Sequence, residues 1–244
     1  MKVLVTRPEA DAAPLAAELA ARGHSVAIEP LLTIVAKPDA AVDLSGVQAI
    51  ALTSANGARV LAERTARRNL PVFAVGDATA AAARAAGFPA VESAGGDVVA
   101  LAELLAARLD PAEGAVFHPA ARHLAGDLQG RLEAKGFAVR RAVLYESEPS
   151  PALSEATEAA LRGGRIDVAL FFSPRTGKTF VRLLAESRLT AVCNRMFALC
   201  LSDAVAEDIK RLPWRALYVA AQPTQAALLD SLAALEGSTD RPME

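Results

Sequence analysis

The sequence predicts an α/β protein made of two lobes, each a parallel sheet flanked by helices. Three observations lead to this prediction. The chain has 244 residues, a length that suits two domains of about 120 residues. Short β-rich segments alternate with alanine-rich helical segments throughout, and the order of these segments repeats. With 52% hydrophobic residues, the chain is too apolar to be disordered.

Nine segments combine strand-forming residues with flanking turn signals, and we predict a strand at each. They are 3–6, 26–30, 49–53, 72–75, 116–119, 139–144, 168–172, 196–200 and 217–220. The helical segments between them carry leucines four residues apart, as Leu15 and Leu19 in 10–21 and the leucines of 124–135. Strand–helix alternation at this spacing is typical of parallel sheets with helices on both faces.

The chain contains an internal repeat. VLVTRPEADAAPLAAELAARGHSV from residue 3 aligns without a gap with VFHPAARHLAGDLQGRLEAKGFAV from residue 116. The segment from 49 then aligns with that from 168, so that Ser54 falls on Ser173. Alanine-rich units resemble one another by chance, but the shared order favours a duplication. Proline-containing segments at 31–38 and 145–151 occupy equivalent places and are the candidate linkers.

Composition and motifs exclude several classes. Each apolar stretch is broken well before the ~18 residues of a membrane span. Residues 1–11 are strand-like and then charged, so we expect no signal peptide. Cys193 and Cys200 lie in apolar segments without CxxC spacing, so we expect reduced core thiols and a cytoplasmic protein. The net charge of −2 disfavours nucleic acid as a partner.

Cofactor motifs are also missing from the sequence. SPRTGKT at 173–179 is not a phosphate-binding P-loop, because Phe172 stands where that motif needs glycine. No strand is followed by GxGxxG, no helix carries HxxxH or HExxH, and GxSxG does not occur. We therefore expect no metal, nucleotide or other cofactor, and no Ser–His–Asp nucleophile.

Small polar residues gather where predicted strands lead into helices, the ligand-binding edge of an open α/β sheet. The candidates for substrate binding are Thr53, Ser54, Asn56, Gly76, Ser93, Ser173 and Thr176. Backbone N–H groups at a helix N-terminus bind anions. Any one of these residues alone is more often a helix cap. With the loops at 202–203 and 223–224, six such loops lie in corresponding places of the repeats. Together they indicate a cleft for a ligand with several carboxylates or phosphates.

Three arginines lie at the same predicted edges: Arg7, Arg122 and Arg175. Their alternative role is that of ordinary solvated surface residues. Tyr145, one of two tyrosines, begins the second linker, where a tyrosine can serve simply to cover the hinge.

The ordered motifs VTRP, LTSANG, VGDATA, ESAGGD, FFSPRTG, LSDAVAE and PTQAALLDSL resemble the uroporphyrinogen-III synthase family, from Met1 to about Leu235. The resemblance implies two flavodoxin-like lobes joined by a two-stranded linker. Lobe one would comprise 1–33 and 150–235, lobe two 38–143, and the linker strands 34–37 and 144–149. The polar segment 236–244 is expected to be a disordered tail.

The resemblance implies cyclisation of hydroxymethylbilane to uroporphyrinogen III, with loss of water and inversion of ring D, in haem biosynthesis without a cofactor. In that reaction the departing hydroxide needs a proton, and Tyr145 is the candidate general acid, because a phenol with a pKa of about 10 is protonated at neutral pH. Family positions fall on Thr53, Ser54, Ser93, Ser173 and Tyr145, although the family has Thr at Ser93 and often Gly and Thr in the loop 201–204, where this chain carries Asp203. A monomer with transient contact to hydroxymethylbilane synthase is expected. A two-lobed module that binds an anionic metabolite without reaction, and a nucleotide-dependent transferase, are the alternatives.

Overall fold

A computed structural model describes residues 1–123 and 126–239, with the backbone alone for 237–239. The chain forms two compact units. Unit 1 combines Met1–Thr33 with the chain from Glu148 onward, and unit 2 is the continuous segment Ile34–Ser147. Each unit is a parallel sheet between helices, which confirms the predicted α/β class.

The strands are β1 (Lys2–Val5), β2 (Ser25–Ile28), β3 (Leu32–Ala36), β4 (Val47–Leu52), β5 (Val72–Ala74), β6 (Val91–Ser93), β7 (Ala115–Ala121), β8 (Val139–Pro149), β9 (Val168–Phe171), β10 (Phe197–Cys200) and β11 (Ala216–Val219). The helices are α1 (Glu9–Ala21), α2 (Ala55–Arg64), α3 (Asp77–Ala85), α4 (Val98–Arg108), α5 (Leu128–Glu133), α6 (Glu155–Arg162), α7 (Pro174–Glu186), α8 (Asp203–Ile209) and α9 (Gln225–Thr239). Residues 124 and 125, at the start of the helix predicted over 124–135, lie outside the described residues.

Both sheets have the same strand order. Unit 1 reads β11-β10-β9-β1-β2, and unit 2 reads β6-β5-β4-β7-β8, with β3 added beside β8. Thus β7 and β8 of the second repeat complete a sheet begun by strands of the first repeat, and β1 and β2 complete the other. The order is doubly wound, and its direction reverses between β1 and β9 in unit 1 and between β7 and β4 in unit 2.

Successive side chains of a strand point to opposite faces of its sheet, and each sheet has a hydrophobic core on both faces. In unit 1, Leu4 and Phe171 pack with α6, α7 and α8, whereas Val5 and Leu170 pack with α1 and α9. In unit 2, one face of β4 packs with α2 and α3 and the opposite face with α4 and α5. Cys193 and Cys200 are free and buried, as predicted, and burial raises the pKa of each thiol to about 12.

All nine predicted strands form, and the structure has two more, β3 and β6. β3 overlaps the linker strand 34–37 that the resemblance implies, whereas β6 was not expected. α9 continues to Thr239 and so overlaps the first residues of the disordered tail predicted from 236. Leu235 is buried, and the Glu236 carboxylate lies 3.3 Å from His24 Nδ1, so side-chain contacts continue as far as Glu236. Residues 240–244 lie outside the described residues. None of the described helices has the length and apolarity that a membrane span requires.

The chain passes between the units within β3 and again within β8. These two strands are neighbours in the sheet. The Lys37 N–H donates to the Leu144 carbonyl at 2.7 Å, and the Ser150 N–H donates to that of Leu31 at 3.0 Å. The paired residue numbers rise on one strand as they fall on the other, so β3 and β8 run antiparallel.

Because unit 2 is continuous and contains its whole sheet, we expect the fragment 34–147 to fold alone. A fragment 1–112 is the control, since it holds as many strands but lacks β7, which pairs with β4 at the centre of that sheet. Urea unfolding followed by circular dichroism should be cooperative for 34–147 and not for 1–112. A folded 1–112 beside an unfolded 34–147 would contradict this arrangement.

Candidate active site

Polar side chains collect at the carboxyl edge of each sheet, in two sets, one in each unit. In unit 2 the loop after β4 begins α2. Ser54 caps this helix, and its Oγ accepts a hydrogen bond from the Asn56 N–H at 3.2 Å. The Asn56 side-chain oxygen in turn accepts from Arg59 Nη1 at 2.9 Å. The predicted residues Ser54 and Asn56 are therefore both half-buried and held in place at this helix N-terminus.

Thr53 and His118 meet at the point where the strand order of unit 2 reverses. Thr53 follows β4, His118 lies in β7, and Thr53 Oγ1 is 3.2 Å from His118 Nε2. His118 is 1% exposed. Burial, with the nearby Arg141 charge, lowers its pKa from 6.5 to about 4, so the imidazole is neutral at pH 7. Sequence reasoning missed His118, because no spacing motif connects it with Thr53.

Tyr145 lies on β8 with its ring in the core, 3% exposed. Its hydroxyl shares a hydrogen bond with the Ser54 side chain. Burial raises the pKa of the phenol, and the Ser54 bond partly opposes this effect. Gly57 makes room for the contact of α2 with β7, since a Cβ there would lie 2.9 Å from the Pro119 carbonyl oxygen. Tyr145 is thus a packed residue joined to the α2 cap rather than a cover on the linker surface.

Arg122 extends from the end of β7 with a side chain 58% exposed. Its guanidinium pairs with Glu146, which also pairs with the Lys37 ammonium. The hydrogen bonds from Lys37 and Arg122 lower the pKa of Glu146, so the carboxylate is ionised. Arg122, Lys37 and Glu146 together carry one net positive charge. Sequence reasoning found Arg122 but not its two neighbours. Lys37 comes from the end of β3 and Glu146 from β8.

Gly76 and Ser93 lie along the same edge of unit 2, after β5 and at the end of β6. Gly76 is the N-cap residue of α3, and it has extended backbone angles. The Ser93 Oγ accepts from the Gly95 N–H at 3.2 Å, which tightens the turn that leads to α4. Both predicted residues therefore help to present backbone N–H groups at this edge.

In unit 1, the loop after β9 begins α7. Ser173 caps the helix and accepts from the Thr176 N–H, and the two hydroxyl oxygens are 2.7 Å apart. Thr176 is only 3% exposed. Because its hydroxyl is buried and bonded to Ser173, Thr176 forms part of the cap. Its contact with a ligand stays a prediction. Arg175 is half-buried in the first turn of the same helix.

Arg7 follows β1, next to this loop, and its guanidinium is fixed on several sides. Its Cζ lies 4.5 Å from the centre of the Phe172 ring, and Nη1 donates to Gln225 Oε1 at 2.9 Å. Asp11 lies 3.8 Å from Nη2. Arg7 therefore holds one position at the point where the strand order of unit 1 reverses. Gln225, at the start of α9, is a further contact that the sequence pattern did not single out.

Both edges present helix N-termini and fixed cations, a combination suited to carboxylates. Within 1–123 and 126–239, no cluster of His, Cys, Asp or Glu is arranged to hold a metal ion. Fold and edges together define a class: doubly wound α/β proteins of two units that carry helix N-termini and cationic side chains at the carboxyl ends of their strands.

Comparison with known proteins narrows this class. A family model described as uroporphyrinogen-III synthase HemD matches residues 13–230. The chain therefore belongs to the uroporphyrinogen-III synthase family, and it is a cyclising lyase of haem biosynthesis. This agrees with the resemblance found in the sequence. No curated protein sequence matches it significantly.

Solved structures agree on the fold. The chain is similar to uroporphyrinogen-III synthetase from Helicobacter pylori, with 16% identity and a TM-score of 0.65, over 96% of this chain and 99% of the other. It is also similar to a mutant uroporphyrinogen III synthase from Thermus thermophilus, with 18% identity and a TM-score of 0.53, over 97% and 99% of the two chains.

The low pKa of His118 predicts a pH-dependent stability. The unfolded chain, with a pKa of 6.5 at this residue, binds more protons than the folded chain between pH 6.5 and about 4. The stabilising contribution of neutral His118 is complete above pH 6.5 and is lost as the pH falls towards 4. From pH 7.5 to 5 we expect a loss of roughly 2 kcal/mol from this residue.

Urea unfolding of the wild type and of His118→Gln at both pH values measures this loss, because glutamine does not titrate. The difference between the two pH values should be larger in the wild type. An equal pH dependence in both proteins would show that His118 is not held neutral by burial.

Proposed function

We propose that the chain directs the cyclisation of hydroxymethylbilane mainly by fixing the conformation of this substrate. Loss of water from the hydroxymethyl group of ring A breaks its C–O bond and leaves an electrophilic carbon. That carbon bonds to the substituted carbon of ring D and gives a spirocyclic intermediate. The bond from ring D to the methylene bridge of ring C then breaks, the bridge carbon bonds to the free α-carbon of ring D, and that α-carbon loses its proton to give the type III macrocycle. Electron-rich pyrroles lose water and close the ring unaided but give the wrong isomer, so the contribution of the protein is orientation.

Binding of the eight carboxylates of the bilane must be local, because the net charge of the protein is −2. We assign the contacts to backbone N–H groups of the loops at Thr53, Ser54, Asn56, Gly76, Ser93 and Ser173, and to Arg7, Arg122 and Arg175. The stacked Arg7 supports this assignment best, since a guanidinium already fixed loses little freedom when it binds a carboxylate. Arg122 binds as part of its cationic group with Lys37 and Glu146.

The observation that carries the proposal is the family match over residues 13–230. The helix N-termini and cationic side chains at the two sheet edges support it. The test is to add purified protein to freshly generated hydroxymethylbilane, without metal or nucleotide, and to identify the product. We expect the type III isomer at a rate well above spontaneous closure. Type I product at the spontaneous rate would instead favour a module that binds the anion without reacting it.

Tyr145 is the proposed general acid for the departing hydroxide. Its raised pKa keeps it protonated but makes it a weak acid, and the pyrrole expels the leaving group readily. We therefore expect Tyr145→Phe to lower kcat about ten- to a hundredfold, at the low end of general-acid effects. The type III isomer should still dominate, because substrate conformation decides which carbon is attacked.

Ser54→Ala is the matched variant, since it removes the hydrogen-bond partner of Tyr145 and leaves the phenol. If the phenol itself donates the proton, Ser54→Ala should lower kcat less than Tyr145→Phe does. Equal losses in kcat would show that the Ser54–Tyr145 hydrogen bond matters rather than proton donation by the phenol. Full activity of Tyr145→Phe would exclude Tyr145 from the mechanism. A change to type I product would show that the hydroxyl positions ring D.

We also propose that the chain acts as a cytoplasmic monomer that receives the bilane through transient contact with hydroxymethylbilane synthase. The large hydrophobic residues exposed in the described part of the chain are Ile28, Val99 and Tyr218. They lie singly rather than in one segment, as on proteins that form no permanent interface. The instability of the bilane in water favours a short transfer from the enzyme that makes it.

A further inference from the structure

His118 is a buried polar residue that the proposed mechanism does not use. His118 lies on β7 of the unit 2 sheet. Its Nε2 is 3.2 Å from Thr53 Oγ1. The other ring nitrogen, Nδ1, is buried and has no hydrogen-bond partner among the described residues. Buried nitrogen atoms in this state are uncommon, and each calls for an explanation.

We propose that His118 is a positioning residue: its Nε2–H donates to Thr53 Oγ1 and so turns the Thr53 hydroxyl proton towards the substrate. This inference rests on the proposed function and deepens it by giving Thr53 a defined role. Thr53 is then a hydrogen-bond donor to a substrate carboxylate, and His118 acts only through it.

The tautomer of His118 follows from the burial of Nδ1 without a hydrogen-bond partner. Neutral imidazole carries one N–H, on either nitrogen. A proton on Nδ1 would leave a buried donor unpaired, and orphaned buried N–H groups are rarer than orphaned acceptors. A proton on Nε2 instead makes the Thr53 bond. The Arg141 guanidinium and burial both keep a second proton off the ring.

The direction of the Thr53 proton decides what this residue can bind. If Thr53 donated to Nε2, its oxygen would face the substrate with lone pairs and would repel a carboxylate. If Nε2 donates to Thr53, the hydroxyl hydrogen is available at the edge of the sheet. Thr53 is half-buried directly after β4, next to the N-terminus of α2, where an anion is favoured.

The first test measures the tautomer in the full wild-type protein. Nitrogen-15 spectra of the histidine rings should show a protonated Nε2 and an unprotonated Nδ1 for His118 at pH 7, assigned by the loss of its signals in His118→Gln. A proton on Nδ1 would overturn the proposal. This readout does not depend on activity, so it separates failure of the inference from failure of the proposed function.

The second test is a double-mutant cycle on kcat/KM for type III formation. Gln at 118 places an N–H near the former Nε2, whereas Asn places its amide near the former Nδ1. We expect His118→Asn and Thr53→Val each to lower kcat/KM by about ten- to a hundredfold, mainly through KM, and His118→Gln to stay within about threefold of wild type. In the Thr53→Val background, Asn and Gln should differ by less than about twofold.

Melting temperatures of all variants serve as the control for structure. A purely structural role of His118 would lower kcat/KM equally in the Asn and Gln variants, or keep the Asn effect undiminished without the Thr53 hydroxyl. Either result would overturn the proposal, as would an unchanged KM in Thr53→Val.

Discussion

The architecture depends on two strand pairings between distant parts of the chain. Val3 of β1 pairs with Val168 of β9, and Ile50 of β4 pairs with Phe117 of β7. Each pairing joins the front of one repeat to the back of the other, and each is the point where the strand order reverses. Because helices leave to opposite faces on the two sides of such a point, the loops there separate and leave an open edge. The candidate ligand residues of both units lie at these edges.

Hydrogen bonds across the same pairings fix the edges. In unit 1 the buried Thr6 hydroxyl donates to the Leu170 carbonyl at 2.6 Å, and in unit 2 Thr53 meets His118. Around them, the side chains proposed to bind substrate are already bonded to protein groups, as Arg7 is to Gln225. Side chains that are already fixed need little further ordering when they bind a ligand. A reaction whose outcome depends on substrate conformation requires that rigidity.

Most of the fold is predictable from the sequence, because buried parallel strands are runs of β-branched and aliphatic residues and the helices between them carry leucine stripes. The strand β6 could not be predicted, because its three residues are half-buried and one of them is Glu92. Its extended conformation depends on pairing with the neighbouring strand β5. The site is predictable only in part. Loop residues such as Ser54 and Arg7 follow from position after a strand. His118, Lys37 and Gln225 do not, since their partners lie on elements that are distant in sequence.

The division of the chain also sets the order in which it can fold during synthesis. Unit 2 is complete once residue 147 has emerged, whereas β1 and β2 must wait for β9, which begins at Val168. Until then they form only a two-stranded sheet, and the side of β1 that β9 later covers is an unpaired edge. β1 and β2 are thus made before unit 2 but reach their final pairing after it, so they are exposed to mispairing for longest.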